Sequence, residues 1–246
     1  EKIALFALPL LLGNFFQLMY NTIDSIIVGN YVGKTALAAV GASTPVINLM
    51  IGFFQGLATG AGVIISRYYG ARKKDEVSRS VHSFILFSVL FGILLGIVGY
   101  VASPYILRWI GTQADYYGDA ESYLSVYFLG VTFLTVYNAG TGVLQAVGDS
   151  KNPLYFLVAT SILNVVLDIV FVRYMNMGVT GAAIATIISQ FVATLWTLRF
   201  LTSDKAIIKI NLKKMKCKIK RVKKIISLGF AGFTMAITNS VVQMFY

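Results

Sequence analysis

The chain has 246 residues, of which 57% are hydrophobic and only 13% charged, against roughly 25% charged in soluble domains. That balance excludes an ordinary water-soluble domain and indicates an integral membrane protein. The net charge of +11 would suit nucleic acid, but the Lys and Arg residues lie between the apolar runs, so no nucleic-acid partner is expected.

Apolar runs of the ~20 residues needed to cross a bilayer recur along the whole length. The ~10-residue alternation of barrel strands is missing. The predicted fold class is therefore all-α and polytopic, with six spans at 3–31, 35–69, 80–103, 117–147, 153–172 and 178–201 and a seventh beginning near Ile225. The second and fourth runs exceed the minimum, which implies tilt or extension past the bilayer. Glu1 and Lys2 lead into an apolar run far longer than a signal-peptide core, with no small-residue cleavage site, so the first span is read as retained. A start without Met and a stop at Tyr246 inside an apolar run suggest a piece of a longer protein.

Of the 21 Lys and Arg residues, all but Lys34, Arg108 and Arg173 fall on one side if the spans alternate. The positive-inside rule then places the amino terminus in the cytoplasm of a multi-pass cell-membrane protein. Residues 1–202 form an amino-terminal six-helix lobe, 203–224 a basic linker, and 225–246 the start of helix 7. In the linker, Ile208, Leu212, Met215, Ile219, Val222 and Ile226 step by 4 and 3, which predicts an amphipathic helix on the cytoplasmic leaflet with membrane lipids as partners. Cys217, the only cysteine, can form no intrachain disulfide. Lys224-Ile225 faintly echoes Lys2-Ile3, as two parallel halves of a transporter would.

Asp119 and Glu121 fall at the outer start of the fourth run, beside the acidic outer loop, so Asp24 and Asp168 are the only acids in the span interiors. An ionisable residue in a membrane span is a candidate site by default, because keeping it there is costly. Both lie roughly 10 Å inside the outer ends of their helices at ~1.5 Å per residue. Gln17, Tyr20 and Asn21 share a helical face with Asp24, and Ser161 and Asn164 share one with Asp168. Asn138, Thr141 and Gln145 form a third stripe, and Thr186, Ser189 and Gln190 a fourth. The economical arrangement turns all four stripes onto one cavity, with protonation of the two carboxyls as the coupling event. The competing reading is interhelical glue, worth only ~0.6 kcal/mol per contact. Pro9 and Pro45 allow bends, whereas Gly92, Gly96, Gly99, Gly178 and Gly181 read as helix contacts. His82 has no acid or Cys partner at metal spacing, so no metal site is expected.

These residues, in order, carry a family pattern. Pro9, Gln17, Tyr20-Asn21 and Asp24 come first, followed by Gly56 to Gly60 and Ser66-Arg67-Tyr68-Tyr69-Gly70-Ala71. Leu144-Gln145-Ala146-Val147-Gly148-Asp149 with Pro153, Asn164-Val165-Val166-Leu167-Asp168, and Gly178 with Gly181-Ala182-Ala183 complete it. The chain resembles the multidrug and toxic compound extrusion (MATE) transporters across its six spans. The resemblance implies half of a twelve-helix, two-lobed antiporter, monomeric with its second lobe, exporting organic cations and drugs against H⁺ or Na⁺. It implies no enzyme activity and no cofactor beyond the coupling ion. It further implies that Asp24 and Asp168 are the cation-coupling carboxylates of the prokaryotic proton-linked branch. Gln17, Asn138, Asn164 and Thr186 would be their neighbours, and Pro9 the bend in the first helix. Gln145 departs from the Arg found in many members.

Three alternatives stay open. A lipid-linked precursor flippase of the same superfamily would need cavity cations for a diphosphate, and the span interiors contain no Lys or Arg. An intramembrane enzyme would need paired Asp or His-Glu-His sets, which are missing. A channel has no sequence mark of its own here.

Overall fold

The computed structural model describes residues 2–204, 206–210, 219, 221–230 and 234, with side chains from residue 7 onward. Six long helices follow one another: α1 (Lys2–Tyr31), α2 (Lys34–Gly70), α3 (Lys74–Trp109), α4 (Ala114–Ala146), α5 (Lys151–Asp168) and α6 (Gly178–Thr202). Helix α5 widens into a six-residue π-helical segment, Ile169–Tyr174. Five of these, α2 to α6, are long and apolar enough to cross a membrane. Helix α1 is 30 residues long and carries the polar stripe described above. The chain is a multi-pass membrane protein.

The helix ends follow from local chemistry. Helices α2, α3 and α4 all close with the same pair of backbone bonds, a 6→1 and a 5→2, centred on a residue with positive φ. In α3 and α4 that residue is glycine, Gly111 (φ 74) and Gly148 (φ 91), which adopts the left-handed region without steric cost. In α2 it is Arg72 (φ 57). Asp75 and Glu76 in the first turn of α3 and Arg108 in its last complement the helix dipole. Asp149 holds the start of α5 by accepting from the Asn152 backbone N–H at 3.1 Å.

Helix α4 is the hub. It packs against α3, α6 and α2, while α5 joins α6 to α1. Glycines let the helices approach closely. A methyl group at Gly92 would come within 2.5 Å of Thr135 Oγ1, and one at Gly96 within 3.0 Å of the Phe128 carbonyl, so α3 rests on α4 backbone to backbone. Thr135 Oγ1 donates across this contact to the Ser88 carbonyl at 2.9 Å. Gly181 is equally crowded, against Met177 and Phe171. Gly178 is not a packing residue: only Val32 approaches it, at 3.9 Å, and its φ of 59 shows that it serves the turn into α6. Leu90, Leu94, Ile97 and Val101 of α3 stay exposed in one stripe, as a lipid-facing surface requires.

Beyond α6, residues 206–208 form bends, 211–218 and 220 lie outside the described residues, and helix is present at 219 and at 221–230, earlier than the expected start near Ile225. Of the predicted apolar stripe, Ile208 and Val222 are buried whereas Ile219 and Ile226 are exposed, and Leu212 and Met215 lie outside the described residues. This returning helix docks on α2 through glycines, a methyl at Gly60 falling 2.6 Å from the Gly229 nitrogen and one at Gly229 2.7 Å from the Gly56 carbonyl oxygen. Arg221 pins it to α3, donating to Ser80 Oγ at 2.8 Å and to the Glu76 carbonyl at 3.1 Å, with an ion pair to the Glu76 carboxylate.

Candidate functional site: a carboxyl pair beside a polar cavity

Helices α1 and α5 bring Asp24 and Asp168 together. Both are buried, Asp24 at 7% exposure and Asp168 at 0%, and their side chains adjoin. Two ionised carboxylates repel at such a contact and can only accept hydrogen bonds, whereas one proton on the pair lets them bond to each other. Asn164, one turn before Asp168, is likewise buried. Its amide donates to Asp168 Oδ2 at 2.9 Å and accepts from the Thr186 backbone N–H of α6 at 3.2 Å. Thr186 Oγ1 donates to the Ala182 carbonyl at 3.0 Å and faces the same cavity as Tyr20 of α1. Three helices thus meet around the pair. Each aspartate nevertheless keeps one oxygen, Oδ1, without a partner among the described residues.

Asp168 is the last α-helical residue before the π-helical segment. Such widened turns shift the helical phase and recur at functional sites. At the same end of the bundle, Arg173 ties α5 to α1, donating to the Tyr31 hydroxyl at 3.1 Å and lying 5.0 Å over its ring.

A cavity of about 310 Å³ lies against Asp24. Gln17, Tyr20, Asn21, Asn138 and Thr186 line it, which places five of the sequence-predicted residues around one space. Asp168 and Asn164 are not on its wall; both are buried next to Asp24. Thr141 belongs to a second cavity of about 560 Å³ nearer the basic end of the helices, and its hydroxyl bonds its own helix at Tyr137 O, 3.0 Å away. Pro9 also lines this second cavity. The two spaces share Gln17, Gln55, Tyr137 and Asn138, so together they form one polar groove. Among the described residues, no Lys, Arg or His lines either part.

Sequence reasoning missed two contributions to this groove. Helix α2 adds Thr44, Asn48 and Gln55, and α4 adds Tyr123, Tyr127 and Tyr137. The α2 residues recur at offsets of 4 and 7, a usable helical stripe. The tyrosines read as apolar bulk in a membrane span, so nothing marked their hydroxyls as cavity groups.

The MatE family pattern matches residues 9–170. The chain belongs to the MatE family. The matched stretch of this MatE chain contains both Asp24 and Asp168 and corresponds to the amino-terminal lobe. The chain is 33% identical to "Probable multidrug resistance protein YpnP" of Bacillus subtilis (strain 168) over 207 residues, covering 84% of this chain and 46% of the relative. It is 24% identical to "Multidrug export protein MepA" of Staphylococcus aureus (strain MRSA252) over 233 residues, covering 94% and 51%. Its fold matches that of a multidrug resistance MATE family transporter of the MOP superfamily solved in an outward-facing conformation. The TM-score is 0.90 at 28% identity, over 98% of this chain and 53% of that one. The MatE chain spans about half the length of the curated relatives it matches.

Proposed function

We propose that this chain is the amino-terminal lobe of a secondary antiporter that exports organic cations or neutral amphipathic compounds in exchange for H⁺ or Na⁺. In this reading the protein acts as a monomer of two lobes in the cell membrane, with its amino terminus in the cytoplasm. It catalyses no chemical reaction. The observation that carries the proposal is the buried, adjoining pair Asp24–Asp168 set against a cavity that no Lys, Arg or His lines among the described residues. A buried carboxyl with no basic partner is discharged most directly by a proton, an inorganic cation or a cationic substrate, so loading one competes with loading another. Tyr20, Tyr123, Tyr127 and Tyr137 add aromatic faces, each able to attract a cation by about 0.5–2 kcal/mol. Multidrug relatives support the drug-export part of the reading. A flippase of the same superfamily is disfavoured because a diphosphate headgroup would meet Asp24 and no Lys or Arg.

The test is efflux of ethidium or norfloxacin from proteoliposomes carrying the full-length protein, driven in turn by an H⁺ and a Na⁺ gradient. Export under one gradient, lost in both Asp24→Asn and Asp168→Asn, is expected. Undiminished export in both variants would overturn the coupling assignment.

A further inference from the structure

The basic end of the lobe holds a further pocket, which shares no lining residue with the two cavities beside the carboxyl pair. It has a volume of about 670 Å³ and lies where the turn between α2 and α3 meets the chain after α6. Arg72, Lys73, Lys74 and Lys209 line it with a single acid, Asp75, and buried Ile208 supplies an apolar wall. Arg72, Lys73 and Lys74 are exposed and take part in no ion pair among the described residues. Lys209 is engaged by Asp204.

Part of this charge has a plain explanation. Cations favour the carboxyl end of a helix and fix membrane topology. Neither purpose needs a pocket, and neither needs Arg at position 72. The helix ends at Gly111 and Gly148 use the same closing geometry with glycine, whereas here an arginine is held at φ 57, a conformation that is unfavourable for residues with a Cβ. Backbone kept in an uncommon conformation is a reason to look for function in the side chain.

We propose that this pocket binds the headgroup of an anionic phospholipid of the adjoining leaflet. With Lys209 engaged by Asp204, the three cations Arg72, Lys73 and Lys74 against one acid give the charge complementarity for a phosphodiester, and basic pockets at the ends of transmembrane helices hold such headgroups. Ile208 and Ile207 border the pocket with aliphatic surface suited to the glycerol and upper acyl chain. The volume is ample for a phosphoglycerol group. A free phosphate would use the same cations and ignore the apolar wall.

Native mass spectrometry of the full-length protein with phosphatidylglycerol or phosphatidylcholine tests this. Preferential retention of phosphatidylglycerol is expected, and it should weaken about fivefold in Arg72→Gly, the value of one cation near an anionic surface. Arg72→Gly places the residue favoured at a left-handed helix end, so its melting temperature should hold or rise while lipid binding falls. Lys73→Gln should weaken binding similarly, and Lys34→Gln with Arg108→Gln and Arg173→Gln, at the opposite end, should leave it intact. Equal retention of the two lipids, unchanged binding in Arg72→Gly and Lys73→Gln, or displacement of the lipid by millimolar inorganic phosphate would each overturn the proposal.

Discussion

Asp24 of α1 and Asp168 of α5 adjoin as a buried carboxyl pair, and Asn164 supports the contact by donating to Asp168 Oδ2 at 2.9 Å. The two carboxyls can hydrogen-bond one another only while the pair holds a proton. Two like charges ~4 Å apart repel by about 4 kcal/mol at an effective dielectric of 20, so stripping the proton drives α1 away from α5. Raising pH should therefore open the interface and lowering it should close it. Hydrogen exchange across residues 17–28 should speed up as pH rises, after correction for intrinsic exchange, and Asp168→Asn should remove that excess. An equal pH response in wild type and variant would refute the link.

Asn164 and Asn138 make a contrasting pair. The Asn164 amide bridges Asp168 and Thr186, whereas Asn138 Nδ2 donates to Leu134 O of its own helix at 2.8 Å. Asn164→Ala leaves a buried carboxyl oxygen without its donor, which costs about 1–3 kcal/mol. Thermal unfolding in detergent should show that loss, with a much smaller change in Asn138→Ala.

The α3–α4 contact predicts a glycine-specific effect. Gly92→Val would force its Cβ into Thr135 Oγ1 and Thr132 Cα, and overpacking of this kind costs about 1–3 kcal/mol. Gly118, in exposed helix with nothing within 4 Å, gives the opposite sign: Gly118→Ala should stabilise by about 0.5–1 kcal/mol. Melting temperatures of the two variants should move in opposite directions.

Pro9 sits inside α1 and lines the larger cavity. Proline removes one backbone bond and weakens the helix there. Pro9→Ala should raise thermal stability and slow transport, read as a lower maximal efflux rate with drug affinity retained. Faster or unchanged efflux would show that the bend is static.

Much of this fold is legible in the residues. The six spans are continuous apolar stretches bounded by charge and glycine, and their ends fall within several residues of the observed helices. The carboxyl pair is visible because an acid in an apolar run has no inexpensive explanation. Periodicity identifies a face but not its neighbour: Thr141 and Asn138 do line one space, the second cavity, while Asn138 alone of the two also reaches the cavity beside Asp24. The π-helical turn after Asp168 left no mark, since Ile169–Tyr174 reads as ordinary span sequence. In the linker, the 4-and-3 stepping marks a stripe of which Ile208 and Val222 are buried against the protein while Ile219 and Ile226 stay exposed, because an apolar stripe does not say whether lipid or protein will cover it.

The central claim is that drug and proton compete for the Asp24–Asp168 pair, and proton release on drug binding tests it most directly. Ethidium added to the full-length protein in weakly buffered detergent solution should release protons, detected by a pH dye, and the release should disappear in Asp24→Asn and in Asp168→Asn. Drug binding with undiminished proton release in both variants would contradict it.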